Sequence, residues 1–131
     1  MKKVFPLFLA SLLLLGGCAQ TPSAPKAEAS NDMTIALDTL GETPTFVDGN
    51  IDGQPIQVIA IRDSDGTVRL SFNTCQVCQG SPWAYFEVQS GRLVCQNCGN
   101  TFDFSSVGKG GYGCMPLMVP AYTLTETSVI I

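Results

Sequence analysis

Ile56-Gln57-Val58-Ile59-Ala60-Ile61, then Asp63-Ser64-Asp65-Gly66, then Thr67-Val68-Arg69-Leu70-Ser71-Phe72-Asn73 is the stretch that decides the fold. Branched apolar side chains dominate the first run, and they suit a pleated, half-buried surface. The Asp-Gly pair that closes the middle segment is a hairpin-turn signal. In the return run Val68, Leu70 and Phe72 occupy alternate positions, so they share one face of a strand. The three segments together read as a β-hairpin with a buried face.

The neighbouring segments continue the pattern. Residues 33–37 (MTIAL) alternate, and residues 43–47 form a short strand. Asp48-Gly49-Asn50 and Asp52-Gly53-Gln54 read as turns. Residues 85–88 and 93–95, joined through Ser90-Gly91, read as a second hairpin. Residues 101–104 make a short strand, and the tail 119–131 is expected to close the sheet. No long window shows a helical period. The expected fold is therefore mainly β. Residues 32–131 form a small single domain, a β sandwich or barrel-like arrangement carrying two Cys-x-x-Cys knuckles.

The chain has 131 residues, 14% of them charged, with 7 Lys plus Arg against 11 Asp plus Glu. The net charge of −4 excludes the broad basic surface that a phosphate backbone requires, so nucleic acid is not an expected partner. Histidine is absent. His-based catalytic triads, His-ligated zinc enzymes and a proximal haem histidine are all excluded with it. Asp63 and Asp65 suggest a calcium loop, but the further ligands and closing glutamate of an EF-hand are missing, which leaves a solvated turn. Gly108-Lys109-Gly110-Gly111 lacks the spacing of a phosphate-binding loop. Asp103 and Glu87 have no evident acid–base partner, so no hydrolytic enzyme is expected.

The N-terminus reads as an address. Lys2 and Lys3 precede an apolar run over residues 4–15. At 12 residues the run falls short of the roughly 20 needed to span a bilayer, and it has the form of a signal peptide. Leu15-Gly16-Gly17-Cys18 resembles the bacterial lipobox, in which the cysteine thiol is lipidated and the chain is cut before it. Residues 1–17 are thus the expected lipoprotein signal peptide. Cys18 is the expected lipidation site, carrying acyl chains such as palmitate. The alternative is an ordinary secretory signal followed by a free thiol. Loss of Lys2 and Lys3 with the leader takes the net charge from −4 to −6. Residues 19–31, rich in Ala, Ser and Pro, then form a flexible tether spanning at most about 45 Å. The expected location is the extracytoplasmic face of a bacterial membrane, held there by lipid.

The chemistry lies in Cys75-Gln76-Val77-Cys78 and Cys95-Gln96-Asn97-Cys98. A C-x2-C-x16-C-x2-C pattern has the spacing of a four-thiolate metal site. Each tight turn puts two sulfurs on one side, and two facing turns complete a tetrahedron. Gly99 after Cys98, and Gly80 shortly after Cys78, suit the positive φ with which a chain leaves such a turn. Disulfides are the competing reading, with three possible pairings of four cysteines. The spacing favours metal. Cys114 stands in Gly113-Cys114-Met115-Pro116-Leu117-Met118. It is a candidate fifth thiolate, and with Met115 and Met118 it offers soft donors suited to Cu(I). A buried thiol beside two core methionines is an equally common arrangement.

Phe72-Asn73-x-Cys75-x-x-Cys78, the aromatic segment around Tyr85, Leu93-Val94-Cys95-x-x-Cys98-Gly99-x-x-Phe102 and Gly113-Cys114-x-Pro116 together resemble the FtrD-like domain family. The resemblance covers roughly residues 52–120. It implies a membrane-associated protein with a cysteine-bound iron or iron–sulfur site, an electron-transfer role and a link to ferrous iron uptake. Carried over, the ligands are Cys75, Cys78, Cys95 and Cys98, with Cys114 as the further cysteine. Met115 departs from the asparagine expected there. A lipid anchor takes the place of the multi-helix membrane part of longer members. A Rieske centre is excluded, because it needs two histidines.

Three functions therefore compete. One is an iron or iron–sulfur lipoprotein beside an iron-transport or redox membrane complex. The second is a binding module built round a structural zinc ribbon. The third is a copper-binding lipoprotein using Cys114, Met115 and Met118.

Overall fold

The computed structural model describes residues 33–131. The expected signal peptide, the tether and Cys18 lie outside the described residues. Ten strands follow in chain order: β1 Thr34–Ala36, β2 Thr45–Ile51, β3 Gln54–Arg62, β4 Val68–Cys75, β5 Phe86–Gln89, β6 Arg92–Cys95, β7 Thr101–Phe102, β8 Pro116–Met118, β9 Thr123–Leu124 and β10 Ser128–Ile130. Two single 3-10 turns, Leu37–Thr39 and Phe104–Ser106, are the helical elements among the described residues. The domain is mainly β, as its period-2 pattern predicts.

The deciding hairpin is β3–β4, paired antiparallel with Val58 opposite Phe72, Ala60 opposite Leu70 and Arg62 opposite Val68. Its turn closes through the Gly66 N–H on the Asp63 carbonyl (2.8 Å) and the Asp63 N–H on the Thr67 carbonyl (2.9 Å). Both candidate calcium carboxylates act inside this hairpin. Asp63 accepts Arg69 Nε at 2.7 Å, and Asp65 accepts the Thr67 N–H at 2.9 Å. That last bond holds the Asp65 carboxyl below its ordinary value.

Alternation along β3 and β4 builds two cores, one on each face of the central sheet β2-β3-β4-β8. Val58, Ala60, Val68 and Leu70 pack with Met33, Ile35, Leu40, Val119 and Val129. These partners bring in the sheet β1-β10-β9 on that side. Ile59 and Ile61 point the other way and pack with Phe86, Leu93, Val107 and the buried thiols of Cys75 and Cys95. The sheet β5-β6-β7 therefore covers the second face, and the cysteines sit inside that layer.

Three local readings are corrected. Asp48-Gly49-Asn50 is not a turn; it runs inside β2, opposite Gln57, Ile56 and Pro55. One reversal suffices for the β2–β3 hairpin, and Asp52 (φ 50°) with Gly53 (φ 76°) provides it. Gly49 is tolerated in the strand because the Met33 thioether fills the space of a side chain there. The expected strand 101–104 stops at Phe102, and Phe104 opens a 3-10 turn instead. The tail does not join the central sheet as one strand. β9 and β10 pair with each other and with β1, while the segment before the tail, β8, adds to β4. Pro120 and the turn at Glu126 divide these short pieces, and no local period records which sheet each one joins.

Candidate metal centre

Cys75 is the last residue of β4, and Cys95 is the last of β6. Each strand thus delivers the first cysteine of a knuckle into the second core, where both side chains are buried. The turns that follow carry Cys78 and Cys98 outward; Cys78 is half-buried and Cys98 exposed. Gly80 (φ 96°) and Gly99 (φ 73°) take the left-handed conformation expected at the exits. The four sulfurs lie within 4.8 Å of one another.

Backbone hydrogen bonds set this convergence. The Cys75 N–H donates to the Ala84 carbonyl (2.7 Å), and the Gln76 N–H donates to the Met115 carbonyl (2.9 Å). In the second knuckle the Gln96 N–H donates to the Tyr85 carbonyl (2.8 Å), and the Gly99 N–H returns to the Cys95 carbonyl (2.9 Å). The segment 83–86 therefore holds both turns at once. Phe86, opposite Cys95 in the ladder, packs edge-on against Phe102 at 5.8 Å and closes the site from below.

Three side chains not singled out by spacing complete the frame. Asn73 accepts the Phe86 N–H at 2.8 Å and donates to the Phe86 carbonyl at 3.2 Å, so a side chain acts as a strand partner between β4 and β5. Ser81 donates to Asn97 Oδ1 at 2.7 Å and ties one knuckle to the other. Their only sequence signal is position: Asn73 stands two residues before a knuckle, and Asn97 stands within one.

Burial pushes the Cys75 thiol up to about 12, against the opposing pull of the Cys78 and Val77 backbone N–H groups. A neutral thiol is thus favoured at this position in the metal-free chain. A cation would reverse the balance, because it stabilises the thiolate directly. The spacing can be tested against candidate groups. A single zinc or iron ion at about 2.3 Å from four sulfurs sets them about 3.8 Å apart, and the observed limit of 4.8 Å accommodates it. An iron–sulfur cluster would be held by the same four cysteine thiolates, with an inorganic core between them.

Cys114 is half-buried and packs against the core that contains Cys75 and Cys95, but it is not one of the four converging sulfurs. Met115 contributes its carbonyl to the first knuckle, and its thioether lies against Gly111. Met118, in β8, is partly exposed, with its thioether near Gly110. Glu87 is exposed, and Asp103 faces Arg92 at 3.5 Å on the surface.

Two comparisons return nothing: no curated protein and no solved structure matches the chain. A family model does match. Residues 42–131 fit the family described as membrane iron-sulfur containing protein FtrD-like, and the chain belongs to that family. The class defined by fold and site is a small β domain with four convergent thiols, and the family description adds membrane association and iron–sulfur content. Among the described residues no helix is long and apolar enough to cross a membrane.

Proposed function

We propose that the chain is a lipid-anchored, extracytoplasmic metal–thiolate protein that holds iron on Cys75, Cys78, Cys95 and Cys98. In this reading it passes electrons beside an iron-transport or redox membrane complex. The observation that carries the reading is the approach of four sulfurs to within 4.8 Å in a chain of an iron–sulfur family. That spacing accommodates a single iron ion on the four thiolates. Bound iron would supply a one-electron couple. The chain's part is to fix four thiolates, aim backbone N–H groups at sulfur and keep two of the four ligands dry. Anchorage through Cys18 would raise the effective concentration at a membrane partner.

A structural zinc site is the second reading, because the same four sulfurs suit zinc equally well. Protein purified from its native membrane separates them. One iron per chain with visible thiolate-to-metal absorption supports the proposal. A colourless protein with one zinc replaces it with a structural role. Four sulfurs joined as disulfides by intact mass would exclude both.

A further inference from the structure

A row of polar side chains crosses three strands and ends at the backbone that supports the sulfurs. Asp48 in β2 lies opposite Gln57 in β3, and the register that sets Val58 opposite Phe72 brings Gln57 beside Asn73 in β4. Gln57 shares a strand face with Ile59, so the row runs on the side of the sheet that faces the buried cysteines. Gln57 Nε2 donates to Asp48 Oδ1 at 2.8 Å, and Asn73 Nδ2 donates to Gln57 Oε1 at 2.7 Å. The same Nδ2 donates to the Phe86 carbonyl at 3.2 Å, and Asn73 Oδ1 accepts the Phe86 N–H at 2.8 Å. β4 and β5 belong to different sheets. The ladder of β4 with β8 is irregular between Phe72 and Cys75, where Asn73 turns towards β5.

The direction of this row is set at its outer end. A carboxylate only accepts hydrogen bonds, whereas an amide has a donor end and an acceptor end. Asp48 therefore takes the NH2 of Gln57 and leaves Gln57 Oε1 for Asn73. Asn73 then turns its NH2 to Gln57, which leaves Oδ1 for the Phe86 N–H. Reversing either amide would set donor against donor. We propose that Asp48 and Gln57 are positioning residues of the metal centre, acting through Asn73 on the segment 84–86. The Ala84 carbonyl accepts the Cys75 N–H, the Tyr85 carbonyl accepts the Gln96 N–H, and Phe86 pairs with Cys95. That segment thus sets how the two buried sulfurs stand to each other, and contacts beyond the ligands tune a metal site in this way. The inference rests on the metal–thiolate reading above.

The test uses the full chain loaded with cobalt(II), whose visible absorption reports the number and arrangement of thiolates around it. Release to a chromophoric chelator is timed, and the denaturant midpoint of the metal-free chain is measured beside it. Asp48→Lys replaces the acceptor by a donor and reverses the row, so that the Phe86 N–H meets Asn73 Nδ2. Release should then be about fivefold faster, with a shifted cobalt spectrum. Asp48→Asn still offers an oxygen to Gln57 and should stay within about twofold of wild type. Gln57→Glu sets two carboxylates against each other and should also speed release about fivefold. Adding Asp48→Asn to Gln57→Glu supplies an NH2 to the new carboxylate, which still accepts from Asn73. That double variant should recover the wild-type rate and spectrum. Asp38→Lys makes the same charge change in the turn Leu37–Thr39, beside the other core, and should have no effect.

Wild-type release and spectrum in Asp48→Lys, or a double variant no better than Gln57→Glu alone, overturns the positioning role and leaves the metal reading intact. Release that changes only in step with the midpoint, with the cobalt spectrum unaltered, reduces the row to a stabilising contact and overturns the role as well. If Asp48→Lys fails to fold, the recovery of Gln57→Glu by Asp48→Asn decides alone. A wild-type chain that shows no thiolate-to-cobalt absorption overturns the metal reading and the positioning role together.

Discussion

Ser81 Oγ donates to Asn97 Oδ1 at 2.7 Å, and this one bond joins the two Cys-x-x-Cys turns through their side chains. Sixteen residues separate the pair in sequence, yet both partners sit within three residues of a cysteine. The bond closes the outer side of the site, where Cys78 and Cys98 lie. The inner side is closed by the core.

Asn97→Ala should therefore loosen the outer half of the site and leave the fold intact. An exposed hydrogen bond contributes about 1 kcal/mol, which corresponds to about a fivefold faster loss of metal. Release to a chromophoric chelator measures it. Ser81→Ala should be at least as damaging as Asn97→Ala, because Ser81 Oγ also accepts the Trp83 backbone N–H at 3.2 Å, and the double variant should be no worse than Ser81→Ala alone. Additive losses would show that the bond does not link the knuckles.

Cys95→Ser and Cys98→Ser should differ although each removes one thiolate. Cys95 is buried beside Phe86 and Leu93, so a hydroxyl there is desolvated and should cost the metal-free domain about 1–3 kcal/mol. Cys98 is exposed, and its serine should cost that domain almost nothing. Denaturant midpoints of the two variants without metal make the comparison. Equal losses would contradict the observed burial.

The metal-free chain should weaken in alkali. The Cys75 thiol titrates near 9.0 when unfolded and at about 12 in the fold. Below pH 9 both states hold the proton and the contribution to stability is complete. As pH rises from 9 towards 12 the unfolded chain releases its proton first, so stability falls. Bound metal holds the thiolate already and should abolish this alkaline loss. Midpoints measured across that window, with and without metal, test both statements.

Asn73→Ala should destabilise by about 1–3 kcal/mol, because it strips the Phe86 N–H of its acceptor inside the molecule. The second hairpin carries Cys95, so metal affinity should fall as well. Asn73→Asp keeps an acceptor for that N–H and should recover part of the loss. Thermal unfolding with metal titration separates the two effects.

Gly108→Ala probes the seam behind the site. Gly108 has φ 71°, and a Cβ there would stand 2.9 Å from the Arg69 Cβ and 3.1 Å from the Leu70 nitrogen. Its N–H also donates to the buried Ser71 hydroxyl at 2.9 Å. Strain and close approach together predict a loss of about 2–3 kcal/mol by thermal melt. Gly41→Ala, with open space around it, is the control.

Local signals alone determined the two hairpins, the alternation that sends Val58 and Ile59 to opposite faces, the pair of knuckles and the glycine exits at Gly80 and Gly99. Each of these is encoded within a few residues, by branched side chains, by Asp-Gly and Ser-Gly turns, or by a fixed cysteine interval. Long-range pairing decided the rest. Asp48-Gly49-Asn50 carries turn residues, yet the β2–β3 ladder draws it into a strand once Asp52-Gly53 has made the reversal and Met33 has filled the gap at Gly49. Four cysteines at the right interval do not state which two are dry; only the layer of Phe86 and Leu93 over Ile59 makes Cys75 and Cys95 the buried pair. The Asn73 bridge and the Ser81–Asn97 tie were equally invisible, because a polar side chain finds its partner only after distant strands have brought the two together.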